Sequence, residues 1–187
     1  MFGNLYTNDM EWEASIISDY CKVKGGKRVP KGEKLLDEPT NYPYLRVLDL
    51  KNSTVIEDDI KYLSEDIYEK IKRYTITSND VYLTNVGEKL GMAGTIPERF
   101  NNANLTENAV KLVFDNNKIN KVYLAYYLNS EVGQKYILER KMIVGVPKLA
   151  IFRIETLPLI LPPLELQNEF ADFVKQVDKL KFEIEKS

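Results

Sequence analysis

From about residue 11 to residue 115 the apolar positions come in short bursts that alternate with polar ones and end at Asn, Gly or Pro. The stretches YLRVLDL, NDVYLTNVG, MAGTI and AVKLVF carry this pattern. Alternation over so few residues predicts strands with one face in a core. One helix interrupts them: Ser64 stands as an N-cap before Glu65 and Asp66, and Lys70, Lys72 and Arg73 suit the negative end of the helix dipole. The run INKVYLAYYLNSEVGQKYILER, residues 119–140, predicts two short helices, with Val122, Leu124, Ala125 and Leu128 in the core and Ser130 capping the second. AIFRI reads as a further strand. TLPLILPP cannot be helical through Pro158, Pro162 and Pro163, so it reads as an extended connector.

After that connector a helix is expected from about Leu164 to Lys186. Its apolar positions Leu166, Phe170, Phe173, Val177, Leu180 and Ile184 are spaced alternately four and three apart, the rhythm of a coiled-coil seam. Glu169, Asp172, Lys175, Asp178 and Lys179 fall on the wet flanks. Such a helix spans about 33 Å at 1.5 Å per residue. The seam predicts pairing with another such helix, from a second copy or from another chain of its kind. The plainer alternative is a seam folded back on its own domain, because an isolated helix of this length needs a packing partner.

Composition narrows the chemistry. The chain has 187 residues, a formal charge of -2 and no histidine. That charge excludes a uniformly basic, charge-driven nucleic-acid binder but leaves room for a local basic face. Without histidine the usual zinc sites and the Ser-His and Cys-His nucleophile pairs lose their central residue, and a lone Cys21 cannot form an internal disulfide. No apolar run approaches the ~20 residues of a membrane span. A soluble, cytoplasmic protein is expected, with no membrane partner.

No catalytic, metal or cofactor site is expected either. GGKRVPKGEK, residues 25–34, has five residues between Gly26 and Gly32 where a phosphate-binding loop has four, and Glu33 follows in place of the Lys-Ser/Thr pair. GEKLGMAG lacks the dinucleotide-binding glycine order, no Asn/Asp-Pro-Pro-aromatic methylation motif occurs, and Asp58 and Asp59 read as a solvated turn.

A binding surface is what remains. Residues 22–34 carry Lys22, Lys24, Lys27, Arg28, Lys31 and Lys34 against a single Glu33, in a Gly/Pro loop that can present ammonium and N–H groups to phosphates. The plainer reading is a solvated loop. Residues 84–108 supply donors and acceptors of the kind base edges require, with Thr84, Glu88, Lys89, Asn104, Glu107 and Asn108 as candidate base readers; a polar hairpin is the alternative there. Tyr123, Tyr126 and Tyr127 sit at helical spacing and read as core or rim rather than as stacking platforms.

In their order along the chain these stretches resemble the DNA-specificity (S) subunit of type I restriction-modification enzymes. The MFGN start, Trp12 with SDYCKVKGGKRVPKGE, YPYLRVLDLKN, SNDVYLTNVGEKLGMAG, LTENAVKLVF, YLAYYLNSEVGQKYI and LPLILPPLELQNEFADFVKQVDKL each look like an element of that family. The resemblance implies an α+β target recognition domain, placed here at residues 1–160, and a long conserved helix at 161–187. It implies sequence-specific recognition of double-stranded DNA without catalysis of its own. Methyltransferase (M) subunits would methylate adenine from S-adenosylmethionine, and restriction (R) subunits would cleave with ATP. Lys24, Lys27, Arg28, Lys31 and Arg46 are the expected phosphate contacts. A complete S subunit has two domains and two antiparallel helices; this chain has one of each, as in a half-length or recombined product. It departs from many relatives in having Lys-Gly-Gly-Lys-Arg where they have Gly-Gly-Thr-Pro, and no target sequence carries over.

Two other readings stay open: a recognition module detached from a fused restriction-methylation enzyme, and a helix-mediated regulator or inhibitor that assembles on M subunits without reading DNA. Convergence of Lys24, Lys27, Arg28, Lys89 and the 104–108 segment on one concave face separates DNA recognition from the regulator.

Overall fold

A four-stranded antiparallel sheet forms the middle of the protein because its inner strand Val81–Thr84 is buried on both faces and must be covered twice. A computed structural model describes residues 1–51 and 53–185; Asn52, the last residue of YPYLRVLDLKN, and Lys186 and Ser187 of the expected helix segment lie outside them. The sheet has the order β2 (Cys21–Gly25), β9 (Ala109–Phe114), β6 (Val81–Thr84), β7 (Ala93–Thr95). Val81, Leu83, Val110 and Leu112 look toward α2 (Lys121–Asn129), α3 (Glu131–Arg140), α4 (Ile151–Glu155) and the ribbon of β1 (Glu13–Ile16) with β12 (Pro158–Leu161), where most of the buried apolar side chains lie. Tyr82 and Ala109 look the other way, into a smaller core shared with a second sheet, β4 (Lys61–Tyr62), β3 (Pro43–Leu45), β8 (Ala103–Leu105), β5 (Thr75–Ile76). The short α1 (Glu65–Ile71) closes the far side of that sheet with Ile67 and Ile71.

Most expected elements form. Strands occupy parts of NDVYLTNVG, MAGTI and AVKLVF, and two helices break at Ser130, whose hydroxyl accepts from Gly133 N at 3.2 Å. Ser64 does take the N-cap position of α1, although its side chain makes no capping bond. Two expectations are corrected. YLRVLDL is a strand only to Leu45, because Asp49 captures Arg46: the Arg46 N–H donates to Asp49 Oδ2 at 2.7 Å, and the chain turns. AIFRI is not a strand but the helix α4, which buries Ile154 and stands on β2; five apolar-rich residues carry no decisive period. The proline connector is extended as expected and pairs as β12 with β1, so the boundary expected at residue 160 falls inside a strand.

The last helix, α5 (Leu164–Glu185), is rooted by one side chain. Gln167 is fully buried; its Oε1 accepts from Asn120 N at 2.8 Å, and its Nε2 donates to Pro162 O at 2.8 Å and Lys118 O at 3.3 Å. Three backbone groups at the joint are thereby satisfied at once. Phe170 then packs edge-on against Phe2 and Tyr126, with ring centroids 5.2 and 5.3 Å apart. The expected seam is therefore split. Leu166 and Phe170 turn partly onto their own domain and Val177 is half-covered, while Phe173, Leu180 and Ile184 are 57, 58 and 72 % exposed.

Candidate nucleic-acid interface

Strand directions bring distant segments to one end of the central sheet. β2 and β6 both run antiparallel to β9, so Gly25 and Thr84 finish where Ala109 begins. Backbone hydrogen bonds join the loops that leave this end. Gly26 N donates to Ala109 O at 3.0 Å and Lys27 N to Leu105 O at 2.8 Å; Asn85 N donates to Asn108 O at 3.0 Å. Leu149 N donates to Asn85 O at 2.8 Å and Gly87 N to Pro147 O at 2.9 Å. The basic loop, the loop after β6, the 106–108 turn and the hairpin of β10 (Met142–Val144) and β11 (Val146–Lys148) thus form one surface.

Gly26 explains the glycines of the basic loop. A Cβ there would lie 2.0 Å from Thr106 O and 2.4 Å from Leu105 O, so the bare backbone fits against this chain's own carbonyls and not against a phosphate. The loop beyond it is held as a platform: Tyr44 Oη donates to Lys27 O at 2.9 Å, and Glu33 pairs with Lys70 of α1 at 2.8 Å.

The expected phosphate contacts fare differently. Lys24 stands exposed beside Lys111 of β9. Lys111, half-covered and donating to Thr75 O at 2.5 Å, has its pKa lowered by burial first and by the Lys24 charge as well, against the pull of Asp80. Lys27 reaches over the Tyr74 ring, 5.7 Å from its centroid, where Arg73 stacks at 4.9 Å. Lys31 is exposed farther along the loop. Among the described residues no carboxylate lies in ion-pair range of Lys24, Lys27, Lys31 or Lys89. Arg28 is exposed but bonded to Glu107 at 2.6 Å. Arg46 is a correction: its guanidinium is clamped by Asp49 at 2.8 Å and by Asp59 at 3.2 Å, and it holds the turn after β3 instead of offering a charge.

Two of the six candidate base readers are corrected as well. Thr84 is fully buried, its hydroxyl donating to Lys89 O and accepting from Met92 N at 2.9 Å, so it ties the loop's neck. Asn104 is 1 % exposed and donates to Ile71 O at 2.9 Å. A side chain spent inside the protein cannot reach a base edge. Glu88 and Lys89 are exposed, and Glu107 and Asn108 half-exposed, on the shared surface. Burial lifts the Glu107 carboxyl, but the Arg28 and Thr106 bonds outweigh it and leave its pKa below the ordinary value.

The sequence pattern places Arg73 only at a helix end and does not bring Tyr74, Lys141 or Lys148 to this surface. Nor does it anticipate the hairpin at 142–148; the apolar run MIV and the valine beyond Gly145 are the available signal.

The profile of the family described as "Type I restriction modification DNA specificity domain" matches residues 10–187. The chain is 27 % identical over 182 residues to the specificity subunit of the type I restriction enzyme MjaVIII from Methanocaldococcus jannaschii, covering 91 % of this chain and 36 % of that protein. It is 25 % identical over 185 residues to the EcoBI specificity subunit of Escherichia coli, covering 94 % and 37 %. It thus spans little more than a third of the length of these relatives. The crystal structure of a type I restriction-modification S subunit from M. genitalium superposes with a TM-score of 0.60 at 14 % identity, over 99 % of this chain and 44 % of that one.

Proposed function

Because the chain belongs to the type I restriction-modification DNA specificity family, we propose that it recognises double-stranded DNA by sequence and directs methyltransferase and restriction subunits to the site. The observation that supports this most is the convergence at the sheet end. Loops about 80 residues apart are hydrogen-bonded into one surface whose outer lysines have no carboxylate in ion-pair range among the described residues, in a chain whose net charge is -2. Anionic partners are attracted to such a local field whatever the net charge. Lys24, Lys27, Lys31 and Lys89 would contact phosphates and set register; Glu88, Glu107 and Asn108 would meet base edges. This arrangement favours DNA recognition over a regulator that never touches DNA.

In this reading residues 1–160 form the recognition domain and 161–187 the spacer helix. Exposed Phe173 and Leu180, with half-covered Val177 between them, form an apolar stripe for the helix of a second copy, or of another such unit. A twofold pairing places two recognition surfaces on a bipartite target, and for two identical copies the half-sites are inverted repeats.

Co-purification with methyltransferase subunits of a type I system, followed by mapping of methylated adenines, tests the proposal. Methylation at one bipartite sequence with a fixed spacer is expected. Methylation that ignores sequence, or a complex that does not bind duplex DNA, rejects it.

A further inference from the structure

The hairpin of β10 and β11 has features that a connector does not need. Met142, Ile143 and Val146 are 40, 69 and 63 % exposed. Ile143 pairs with Pro147 on one face of the ribbon, and Val146 occupies the next pair, on the other. Both faces therefore carry uncovered apolar side chains. Gly145, with φ +77°, makes the tip, and a Cβ there would meet open space. Two-stranded hairpins are marginal by themselves; this one is fixed at its base by Pro147 O accepting from Gly87 N and by the Asn85–Leu149 bonds. The result is an apolar ribbon held out from the end of the sheet.

Charge indicates what it meets. Residues 140–154 contain Arg140, Lys141, Lys148 and Arg153 and no acidic residue. Among the described residues Lys141 and Lys148, one at each foot of the ribbon, have no carboxylate in ion-pair range. A surface meant for another protein's apolar face does not need unneutralised lysines on both sides of it. A phosphate-lined groove does. The ribbon is also continuous with the surface formed by Glu88, Lys89 and Asn108, through Gly87–Pro147 and Asn85–Asn108.

Resting on the reading of this surface as a DNA interface, we propose that the Met142–Lys148 hairpin enters a groove of the duplex, with Ile143 and Val146 against base edges and Lys141 and Lys148 on the phosphates that border it. The major groove admits a two-stranded ribbon, and apolar side chains there distinguish thymine by its methyl group. Pro147 has no N–H to offer an incoming strand, which guards the exposed ribbon against pairing with another chain.

The test uses the full chain, alone and with its co-purifying methyltransferase subunits, and a mixed-sequence 30-base-pair duplex together with the duplex recovered from methylation mapping. Ile143→Cys labelled with a benzophenone maleimide is irradiated, Phe173→Cys serving as control; Cys21 is buried and takes no label. Cross-links from position 143 to bases, and none from position 173, are expected. Ile143→Ser/Val146→Ser is expected to lower affinity for the mapped duplex by about ten- to a hundredfold while affecting the mixed duplex less. Lys141→Ala/Lys148→Ala is expected to lower both affinities together and reduce the salt slope by about two. Unchanged thermal unfolding of the serine variant shows that the loss is not one of folding. If wild type binds DNA but position 143 cross-links to a methyltransferase subunit, or the serine variant binds like wild type, the hairpin assignment falls and DNA recognition stands. If wild type binds neither duplex, both fall.

Discussion

Asn85 and Leu149 hold each other twice: Leu149 N donates to Asn85 O at 2.8 Å, and Asn85 Nδ2 donates to Leu149 O at 3.2 Å. Asn85 is the first residue after β6 and Leu149 the first after β11. The pair fastens the hairpin to the central sheet, 64 residues away in sequence. Asn85→Ala removes one of these bonds inside the protein and leaves the Leu149 carbonyl unpaired, at a cost of about 1–3 kcal/mol. Urea unfolding should show that loss, and amide exchange should quicken in residues 142–148 before it does in β9. Equal exchange at both places would mean that the hairpin is held by something else.

The Arg28–Glu107 pair sets the charge that the basic loop presents. Removing Lys27 should weaken binding about equally to all duplexes and reduce the salt slope by about one. Glu107→Gln should do the reverse on non-target DNA, because it frees Arg28, while blurring preference at the base Glu107 faces. The pair also has a pH signature. Glu107 is depressed below its ordinary value of 4.5, so its contribution to stability is present above that value and lost as pH falls through the depressed one. The Gln variant should lack this acid limb in a titration of thermal stability.

Arg46 offers the opposite test. Asp49 is 3 % exposed, and Arg46→Ala would leave its carboxylate without its ion-pair partner. The expected loss is about 2–3 kcal/mol, less than for a fully buried pair because Arg46 keeps some solvent contact. DNA affinity and its salt slope should not change in the fraction that remains folded. A lowered slope would return Arg46 to the phosphate contacts.

Neighbouring positions of the C-terminal stripe should separate cleanly. Phe170→Ala withdraws a ring from between Phe2 and Tyr126 and should cost the domain about 1–3 kcal/mol. Leu180→Asp touches a side chain that is 58 % exposed, so it should leave domain stability unchanged while abolishing self-association. Denaturant unfolding and light scattering at tens of micromolar distinguish the two. Identical scattering by wild type and Leu180→Asp would remove pairing through α5.

Cys21 reports on folding. Burial, then the charges of Asp115 and Asp80, pushes its thiol up from 9.0 to about 12. The neutral thiol is favoured in the folded state, so above pH 9 the unfolded chain ionises first and stability declines toward pH 12. At pH 8 the native protein should resist a thiol reagent and react only on unfolding. Rapid labelling of native protein would place Cys21 at the surface.

The chain's local patterns determined its elements where period and punctuation agreed. The split of 119–140 at Ser130, the strand in AVKLVF and the helix after Pro163 follow from spacing, a capping hydroxyl and prolines, all of which act within a few residues. The seven-residue rhythm of α5 was equally visible, but which of its apolar residues were available was not. Phe170 is covered because Phe2, from the start of the chain, and Tyr126, from α2, arrive beside it, and no local pattern encodes that meeting. The same holds for the surface. Lys27, Lys89 and Asn108 were legible as polar loop residues, as were Arg46, Thr84 and Asn104, and composition could not separate the two groups. Tertiary structure did so, by supplying Asp49 and Asp59 to Arg46 and internal partners to Thr84 and Asn104, while placing no carboxylate among the described residues in ion-pair range of Lys27 or Lys89. An apolar triplet such as MIV is most economically read as core. Only the placement of its hairpin at the free end of a sheet left Met142 and Ile143 exposed.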